Sequence, residues 1–360
     1  MGPQSQGDSD GNVLQLCVVE TFRLGDLVYL TAFLYGLRRA VPDARIRVVT
    51  GAAGRAFAFP EELAVEVAAA DWPWGNAGWW RRPLRSMCAV LDARRHLAEM
   101  TGPWVGLDPR GDIRHKYLLR LLKIRDVVRD STRWQSLGRL LGRSSRHVLE
   151  ERQAYLEATC RKLGIDEKVT LRWPWANDIR APGENSQRVI LAPEAGAPLR
   201  EWPQERWILL SRELRGRGWK TELVIHNLQW GSVDISSEFD GIITGSVRDL
   251  SSRLRGAAVV IAVDSFVGHY AAAHGIPVLS LFGPTLAALW KPWGRGNEVI
   301  QRDGYSCRPC RQVRCVQPEN NCMKAIAVGE IVEVLQVMFG GQRQDSNDAY
   351  RDSAGRTRRE

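Results

Sequence analysis

The stretch Val259–Thr285, with the sequence VVIAVDSFVGHYAAAHGIPVLSLFGPT, decides the fold of this chain. It starts with the apolar run Val259–Val263 and continues through a polar turn, Asp264–His269. A segment rich in alanine follows, Tyr270–His274, and after a glycine and a proline comes a second apolar run, Val278–Phe282. Short apolar runs predict buried strands and the segment between them predicts a helix, so the stretch is predicted to form one βαβ unit.

The polar turn of this unit has the chemistry of an anion site. A helix that follows a parallel strand places its free N–H groups and the positive end of its dipole beside the carboxyl ends of the strands. Asp264 and Ser265 are residue types that cap helices, and His269 follows one helical turn later. The turn therefore predicts a phosphate-binding crevice lined by these three residues.

A second unit of the same kind is predicted near the N-terminus. The apolar runs Val13–Val19 and Ile46–Thr50 flank a mostly apolar helix, Leu27–Ala40, and Asp26 stands at the start of that helix. Two interpretations of Asp26 are open from the residues alone. It caps the helix, or it is a general base that accepts the proton of an attacking hydroxyl group.

The length of 360 residues is too great for one ordinary core and favours two domains. An irregular stretch with two prolines and a glycine, 173–187, is the predicted linker. The predicted parts are a disordered tail at 1–12, an N-terminal Rossmann-like domain at 13–172, the linker, a C-terminal Rossmann-like domain at 188–339, and a disordered tail at 340–360.

The chain is basic, with a formal net charge of +9, which favours a phosphate-bearing partner such as a nucleotide sugar, an anionic glycolipid or membrane, or nucleic acid. No apolar run approaches the ~20 residues of a membrane span, and Met1–Gly11 lacks the apolar core of a signal peptide. A cytoplasmic protein is therefore expected, and contact with the inner face of the inner membrane is left open.

The positive charge is concentrated between Ile113 and His147, where ten Lys or Arg residues face only Asp126 and Asp130. Residues 113–128 are predicted to form a basic amphipathic helix. Two interpretations remain open: a surface for an anionic membrane or a phosphorylated glycolipid, and a solvated helix face. No recognised nucleic-acid motif accompanies the charge, so no nucleic-acid partner is predicted.

Several short motifs resemble those of glycosyltransferase family 9, the ADP-heptose:lipopolysaccharide heptosyltransferases. They are the turn Asp-Ser-x-x-x-His at 264–269, Gly-x-Pro at 275–277, Leu-Phe-Gly-Pro-Thr at 281–285, Trp-Lys-Pro-Trp-Gly at 290–294, and Arg-Leu-Gly-Asp at 23–26. The resemblance implies a GT-B fold, an α/β architecture of two Rossmann-like domains facing each other across a cleft. It implies that the domain at 13–172 binds the acceptor and that the domain at 188–339 binds the nucleotide sugar. It also implies inverting transfer of a heptose from ADP-heptose to a glycan such as the lipopolysaccharide core.

The resemblance assigns roles to individual residues. Asp26 matches the family's proposed general base, and Arg200, in a small-residue loop before Trp-Pro, stands where the family usually has lysine. Phe266 replaces the usual glycine after Asp-Ser. The implied donor-binding residues are Arg200, Asp264, Ser265, Gly268 and His269, and the candidate residues for the acceptor or its phosphate are Arg23, Arg110 and Arg114.

Four of the seven cysteines, Cys307, Cys310, Cys315 and Cys322, are spaced C-x2-C-x4-C-x6-C. Thiolates at this density can hold a structural Zn or Fe, and four of them leave no open position for chemistry. Buried free thiols, an adventitious disulfide and a purely structural lining role are the competing interpretations. No cofactor is expected to be required for catalysis, because protein dipoles and cations can stabilise a departing diphosphate.

Two other classes of protein compete with a transferase. A nucleotide-sugar-binding protein that has lost catalysis is favoured by Phe266 and disfavoured by the joint presence of Asp26, Arg200 and His269. A hydride-transfer enzyme is disfavoured because no G-x-G-x-x-G follows a strand. Transfer to a protein or a small molecule, rather than to a glycan, also stays open.

Overall fold

The computed structural model describes residues 13–72, 91, 103–128, 147–177, 186–226, 230, 235, 237–310 and 314–339. The described residues within Met1–Leu140 and Arg152–Arg172 form one compact unit. Those within Leu141–Glu151 and Trp173–Glu360 form the second. Residues 147–151 thus group with the second unit, although they lie in the stretch predicted as the first domain.

The first unit contains a parallel sheet of five strands. In chain order the strands are β1 Gln15–Glu20, β2 Arg45–Thr50, β3 Val65–Ala69, β4 Trp104–Leu107 and β5 Asp126–Val127. Their order across the sheet is β3-β2-β1-β4-β5, and every pair is parallel. The central strand β1 is buried from Leu16 to Glu20, as expected for a strand covered on both faces.

The helices of the described part of this unit are α1 Leu24–Ala40, α2 Ala53–Ala56, α3 Ile113–Leu121 and α4 Val148–Lys162, the last of which begins in the second unit. Helix α1 starts three residues earlier than predicted, so Asp26 lies inside its first turn. Helix α3 ends at Leu121, well before the predicted end at residue 128. Lys123 has a positive φ of 61°, which stops the helix, and the chain then enters strand β5.

The second unit contains a parallel sheet of six strands. In chain order the strands are β6 Arg188–Ala192, β7 Lys220–Val224, β8 Gly241–Ile243, β9 Val259–Val263, β10 Val278–Phe282 and β11 Glu298–Gln301. Their order is β11-β10-β9-β6-β7-β8. The helices are α5 Gln204–Gly216, α6 Val247–Leu254, α7 Phe266–Ala273, α8 Ala287–Trp290 and α9 at 328–339. The stretch that decides the fold is therefore the βαβ unit β9-α7-β10, as predicted.

Each sheet has a switch point, where the strand order reverses. In the first sheet it lies between β1 and β4, and in the second between β6 and β9. Open parallel sheets bind ligands outside the carboxyl ends of the strands at such points. In this chain, Asp26 and Arg110 follow the strands at the first switch point, and Arg200 and Asp264 follow those at the second.

Among the described residues, no helix has the length and apolar character needed to span a bilayer.

Candidate functional site

Asp26 is the carboxylate that the first turn of α1 presents at the end of β1. Arg23 caps the helix in an extended conformation, and its backbone N–H donates to Asp26 Oδ2 at 3.3 Å. The Asp26 side chain is 13% exposed, so it is mostly buried but reachable. Asp26 does contact the helix N-terminus, but it does so from inside the helix and leaves Oδ1 for another partner.

That partner is Arg110, which follows β4. Its Nη1 group donates to Asp26 Oδ1 at 2.5 Å. Burial by itself raises the pKa of Asp26, but the nearby charges of Arg110 and Arg152 and the hydrogen bonds from Arg23 and Arg110 outweigh it, so the net pKa is lowered. Asp26 is therefore held ionised and fixed in orientation.

A second, fully buried ion pair lies beside this one. Glu20, the last residue of β1, is 0% exposed and accepts a 2.8 Å hydrogen bond from Arg152 Nη2 of α4. Its other oxygen lies 3.7 Å from Arg110 Nη1. Arg110 is thus shared between two carboxylates, and Glu20 limits how completely the cation neutralises Asp26.

The ring of Phe22 contacts both Arg110, the partner of Asp26, and Arg114 of helix α3. The Arg110 and Arg114 guanidinium carbons lie 3.9 Å and 4.4 Å from the centroid of Phe22. Arg114 also donates two bonds to the carboxylate of Asp112, the N-cap of α3, at 2.8 Å and 2.7 Å. Burial opposes ionisation of Asp112, but the bonds from Arg114 lower its pKa to about 2. Both arginines are therefore paired with carboxylates of their own unit.

A buried histidine fixes the turn that precedes Asp26. His115 Nδ1 lies 2.8 Å from Asp108 Oδ1, and its Nε2 lies 3.0 Å from Thr21 Oγ1. Burial lowers the pKa of His115, but the charge and hydrogen bond of Asp108 outweigh it and the net shift is upward. The side chains of Thr21, Asp108 and His115 are all buried. Their hydrogen bonds therefore hold β4, α3 and the turn together and do not contact a substrate.

Replacing Arg110 with methionine removes the main cation facing Asp26. The lowered pKa keeps Asp26 ionised to a lower pH than an ordinary carboxyl, so losing Arg110 raises that pKa. We expect the acidic limb of the pH profile of kcat/KM to move to higher pH in Arg110→Met. The control Arg55→Met, which removes an exposed pair with Asp71, should leave the limb in place. An unmoved limb in Arg110→Met would show that Asp26 does not set it.

In the second unit the polar groups gather around Asp264, directly after β9. Arg200 Nη1 donates to Asp264 Oδ2 at 3.2 Å, and Thr285 Oγ1 donates to the same oxygen at 2.7 Å. His269 Nε2 lies 3.9 Å from Asp264 Oδ1. One buried carboxylate thus organises a cation, a hydroxyl and an imidazole from three different segments.

Ser265 and the first turn of α7 complete this arrangement. Ser265 is the N-cap in an extended conformation, and its buried Oγ has no hydrogen-bond partner among the described residues. The first turn of α7 lies at the same point, and a helix N-terminus favours an anion. Gly268 belongs to the same first turn, and a Cβ added there would come 3.3 Å from Ala262 Cβ of β9. Its small size serves the packing of α7 on the sheet.

The four cysteines lie in a segment that follows β11. Cys307 is exposed, and Cys310, Cys315 and Cys322 are partly buried. In the part of the chain that is described, no three His, Cys, Asp or Glu side chains are grouped as a metal site requires. Four thiolates suit Zn or Fe, but the structure does not group these side chains around one point.

Sequence reasoning found Asp26, Arg200, Asp264, Ser265 and His269, and the structure brings the last four together. It missed Thr285, Glu20 and Arg152. The sequence carried a signal for Thr285 and Glu20, since each is a polar residue at the carboxyl end of an apolar run. None existed for Arg152, because its partner is 132 residues away in the chain.

Two parallel-sheet α/β domains, each with polar groups at its switch point, define a protein of the GT-B class, and comparisons with known proteins agree. The sequence model of glycosyltransferase family 9 (heptosyltransferase) matches residues 144–320. Lipopolysaccharide heptosyltransferase 1 of Pseudomonas aeruginosa is 24% identical over 340 residues, which cover 84% of this chain and 87% of that protein.

Solved structures give the same fold. E. coli heptosyltransferase WaaC with ADP has a TM-score of 0.63 at 17% identity, covering 90% of this chain and 100% of that one. The same enzyme has been solved with ADP-2-deoxy-2-fluoro heptose. The iron-containing dodecameric glycosyltransferase TibC of enterotoxigenic E. coli H10407 has a TM-score of 0.53 at 14% identity, covering 91% and 77% of the two chains. The chain is a glycosyltransferase whose residues 144–320 match glycosyltransferase family 9.

Proposed function

We propose that this enzyme transfers a heptose from ADP-heptose to a glycan acceptor, the core of lipopolysaccharide, with inversion at the anomeric carbon. The observation that carries the proposal is the pairing of Asp26 with Arg110, which supplies an ionised and oriented carboxylate at a switch point. The names of the matched heptosyltransferases and the ADP-sugar bound to one of them support the choice of donor and acceptor.

The donor half of the reaction is assigned to the site around Asp264. The diphosphate would accept hydrogen bonds from the first-turn N–H groups of α7 and from Ser265 Oγ, which has no other partner among the described residues. Arg200 and His269 would add positive charge or donors. These fixed groups stabilise the charge that develops as the nucleoside diphosphate leaves, and no divalent metal is needed for that step.

The acceptor half is assigned to Asp26. The acceptor oxygen bonds to the anomeric carbon on the side opposite the diphosphate. The bond from that carbon to the phosphate oxygen breaks, and its electron pair leaves with the nucleoside diphosphate. The acceptor's proton passes to Asp26. Its lowered pKa makes Asp26 a weak base, but the hydroxyl becomes acidic as it bonds to an oxocarbenium-like carbon, so a late proton transfer suffices.

Arg200→Met should weaken donor binding. A charge-assisted hydrogen bond contributes about 1.5–3 kcal/mol, which corresponds to about 10- to 150-fold in affinity. We therefore expect the Kd for ADP-heptose, measured by calorimetry, to rise by at least about tenfold, with Arg200→Lys intermediate. The control Arg206→Met leaves the site intact, because Arg206 bonds the carbonyl of Ile326. Unchanged affinity in Arg200→Met would remove Arg200 from the donor site.

The proposal as a whole is tested by supplying ADP-heptose with truncated lipopolysaccharide core and determining the product's anomeric configuration by NMR. Inverted product supports the proposal. A purified protein that binds the nucleotide sugar and neither transfers nor hydrolyses it would instead be an inactive binding protein. Transfer only to a protein or a small molecule would contradict the proposed glycan acceptor but would still agree with glycosyl transfer as the reaction.

A structural metal held by Cys307, Cys310, Cys315 and Cys322 is a further part of the proposal, and binding it would require these thiols to come closer together than the structure places them. It rests on the spacing of four thiols in one short segment. TibC is described as iron-containing. Elemental analysis of the purified protein separates Zn, Fe and metal-free thiols. On the proposed function, the partners of the enzyme are a nucleotide sugar and an anionic glycolipid, and no nucleic acid. The enzyme would work at the cytoplasmic face of the inner membrane.

A further inference from the structure

Helix α3 and the turn after it present an exposed face that the proposed reaction does not use. Leu118 and Leu119 are buried against the sheet of the first unit. At about 100° per residue, the exposed side chains occupy a separate arc of about 140°. They are Lys116, Tyr117, Arg120 and Leu121.

The cations of this face form no ion pair with a carboxylate in the part of the chain that the structure describes. No Asp or Glu occurs between residues 113 and 125. Within the described residues, no ion pair involves the exposed cations of α3 and the following turn, Lys116, Arg120, Lys123 and Arg125. Three arginines elsewhere in the same unit are paired: Arg45 and Arg47 with Glu66, and Arg55 with Asp71. The α3 face therefore keeps its full positive charge.

Two large side chains stand exposed among these cations. Tyr117 is 58% exposed and Leu121, one turn later, is 39% exposed. Side chains four residues apart on a helix lie next to each other, so they form one small apolar ridge. A ridge of an aromatic and an aliphatic side chain flanked by Lys and Arg is the pattern of helices that lie in the interface of a bilayer.

The face is also close to the proposed general base. Arg114 in the first turn of α3 packs on Phe22, which also contacts Arg110, the partner of Asp26. Tyr117 lies three residues further along the helix, a rise of about 5 Å. A surface that binds here would hold a membrane-anchored acceptor within reach of Asp26.

We propose that the face formed by Lys116, Tyr117, Arg120, Leu121, Lys123 and Arg125 docks the enzyme on an anionic phospholipid bilayer. This deepens the proposed function, on which it rests, by naming the surface that reaches a lipid-held acceptor. The charge complements anionic headgroups, and the apolar ridge gains free energy only where it can leave water. A phosphate backbone of nucleic acid offers the ridge no such environment, so the observations favour a membrane.

The test is sedimentation of the full chain with vesicles of phosphatidylcholine, or of an equimolar mixture with phosphatidylglycerol. Each basic residue near an anionic surface contributes about fivefold in partitioning. The double variant Lys116→Glu, Arg120→Glu should therefore lower the partition coefficient on mixed vesicles by about 25-fold or more. Tyr117→Ser with Leu121→Ser should lower it at high salt, where the apolar contribution remains. The matched control is Arg248→Glu with Arg253→Glu on α6, where both side chains are exposed and no bilayer contact is proposed.

Binding that is equal on both vesicle types, or equal in the α3 variants and the control, overturns the proposal. Retention on double-stranded DNA without retention on mixed vesicles overturns it in favour of nucleic acid. All the substituted side chains are exposed, so the unfolding midpoints should match wild type and exclude a folding defect. Transfer to a water-soluble truncated acceptor separates the two hypotheses. An α3 variant that loses vesicle binding and keeps this transfer supports both membrane docking and the proposed function. Wild-type protein that binds vesicles and transfers no sugar contradicts only the proposed function.

Discussion

Replacing Asp26 with asparagine should lower kcat for sugar transfer about a thousandfold, near the middle of the range for loss of a general base. Asparagine has the same shape and can still accept from the Arg23 N–H, so the first turn of α1 should persist. It cannot take the proton of the acceptor hydroxyl. The affinity for ADP-heptose should be unchanged, because the donor is assigned to the second unit. The measurement is a rate of transfer at saturating donor, alongside calorimetry of donor binding.

The matched control for this change is Asp126→Asn. Asp126 lies in the same unit and pairs with Lys162, but it is 60% exposed, so losing its charge should cost at most about 1 kcal/mol of stability and no activity. If Asp26→Asn retained transfer within about tenfold of wild type, a range smaller than general-base effects, another group would have to accept the proton. A fall in donor affinity equal to the fall in rate would instead indicate a binding defect.

Replacing Arg152 with methionine should lower the free energy of unfolding by about 3–5 kcal/mol. Arg152 is 1% exposed, and its partner Glu20 is 0% exposed. Removing one member of such a pair leaves the other as a buried charge, which costs far more than the lost attraction. Denaturant unfolding measures the loss. The control Arg161→Met, at an exposed position of the same helix, should stay within about 0.5 kcal/mol of wild type.

The double variant Glu20→Leu, Arg152→Met separates a buried charge from a packing defect. With both charges gone, most of the stability should return, because an apolar pair of similar volume is often as stable as a buried ion pair. If the double variant were as unstable as Arg152→Met, the cost would lie in packing of α4. In the single variant Arg110 is also expected to move toward Glu20, 3.7 Å away, and to lower activity by leaving Asp26.

The order of elements was predictable because parallel α/β domains have strong local signals. A strand buried on both faces is a short apolar run, and Val259–Val263 and Val278–Phe282 were predicted with the bounds that the structure has. Helix ends were less predictable. Leu24 as the start of α1 depends on the bond between the Arg23 N–H and Asp26, and the end of α3 depends on Lys123 adopting positive φ. Neither conformation has a distinctive residue type as its signal.

The sequence by itself determined the class of the fold and the two switch-point turns, because apolar periodicity and capping residues act over a few positions. Only the tertiary structure decided which charges meet. The sharing of Arg110 between Asp26 and Glu20, the burial of Arg152 beside them, and the gathering of Arg200 and Thr285 on Asp264 join segments 21 to 132 residues apart. Such partners are selected by the packing of strands and helices, and electrostatic energy depends on distances and burial that no local pattern records.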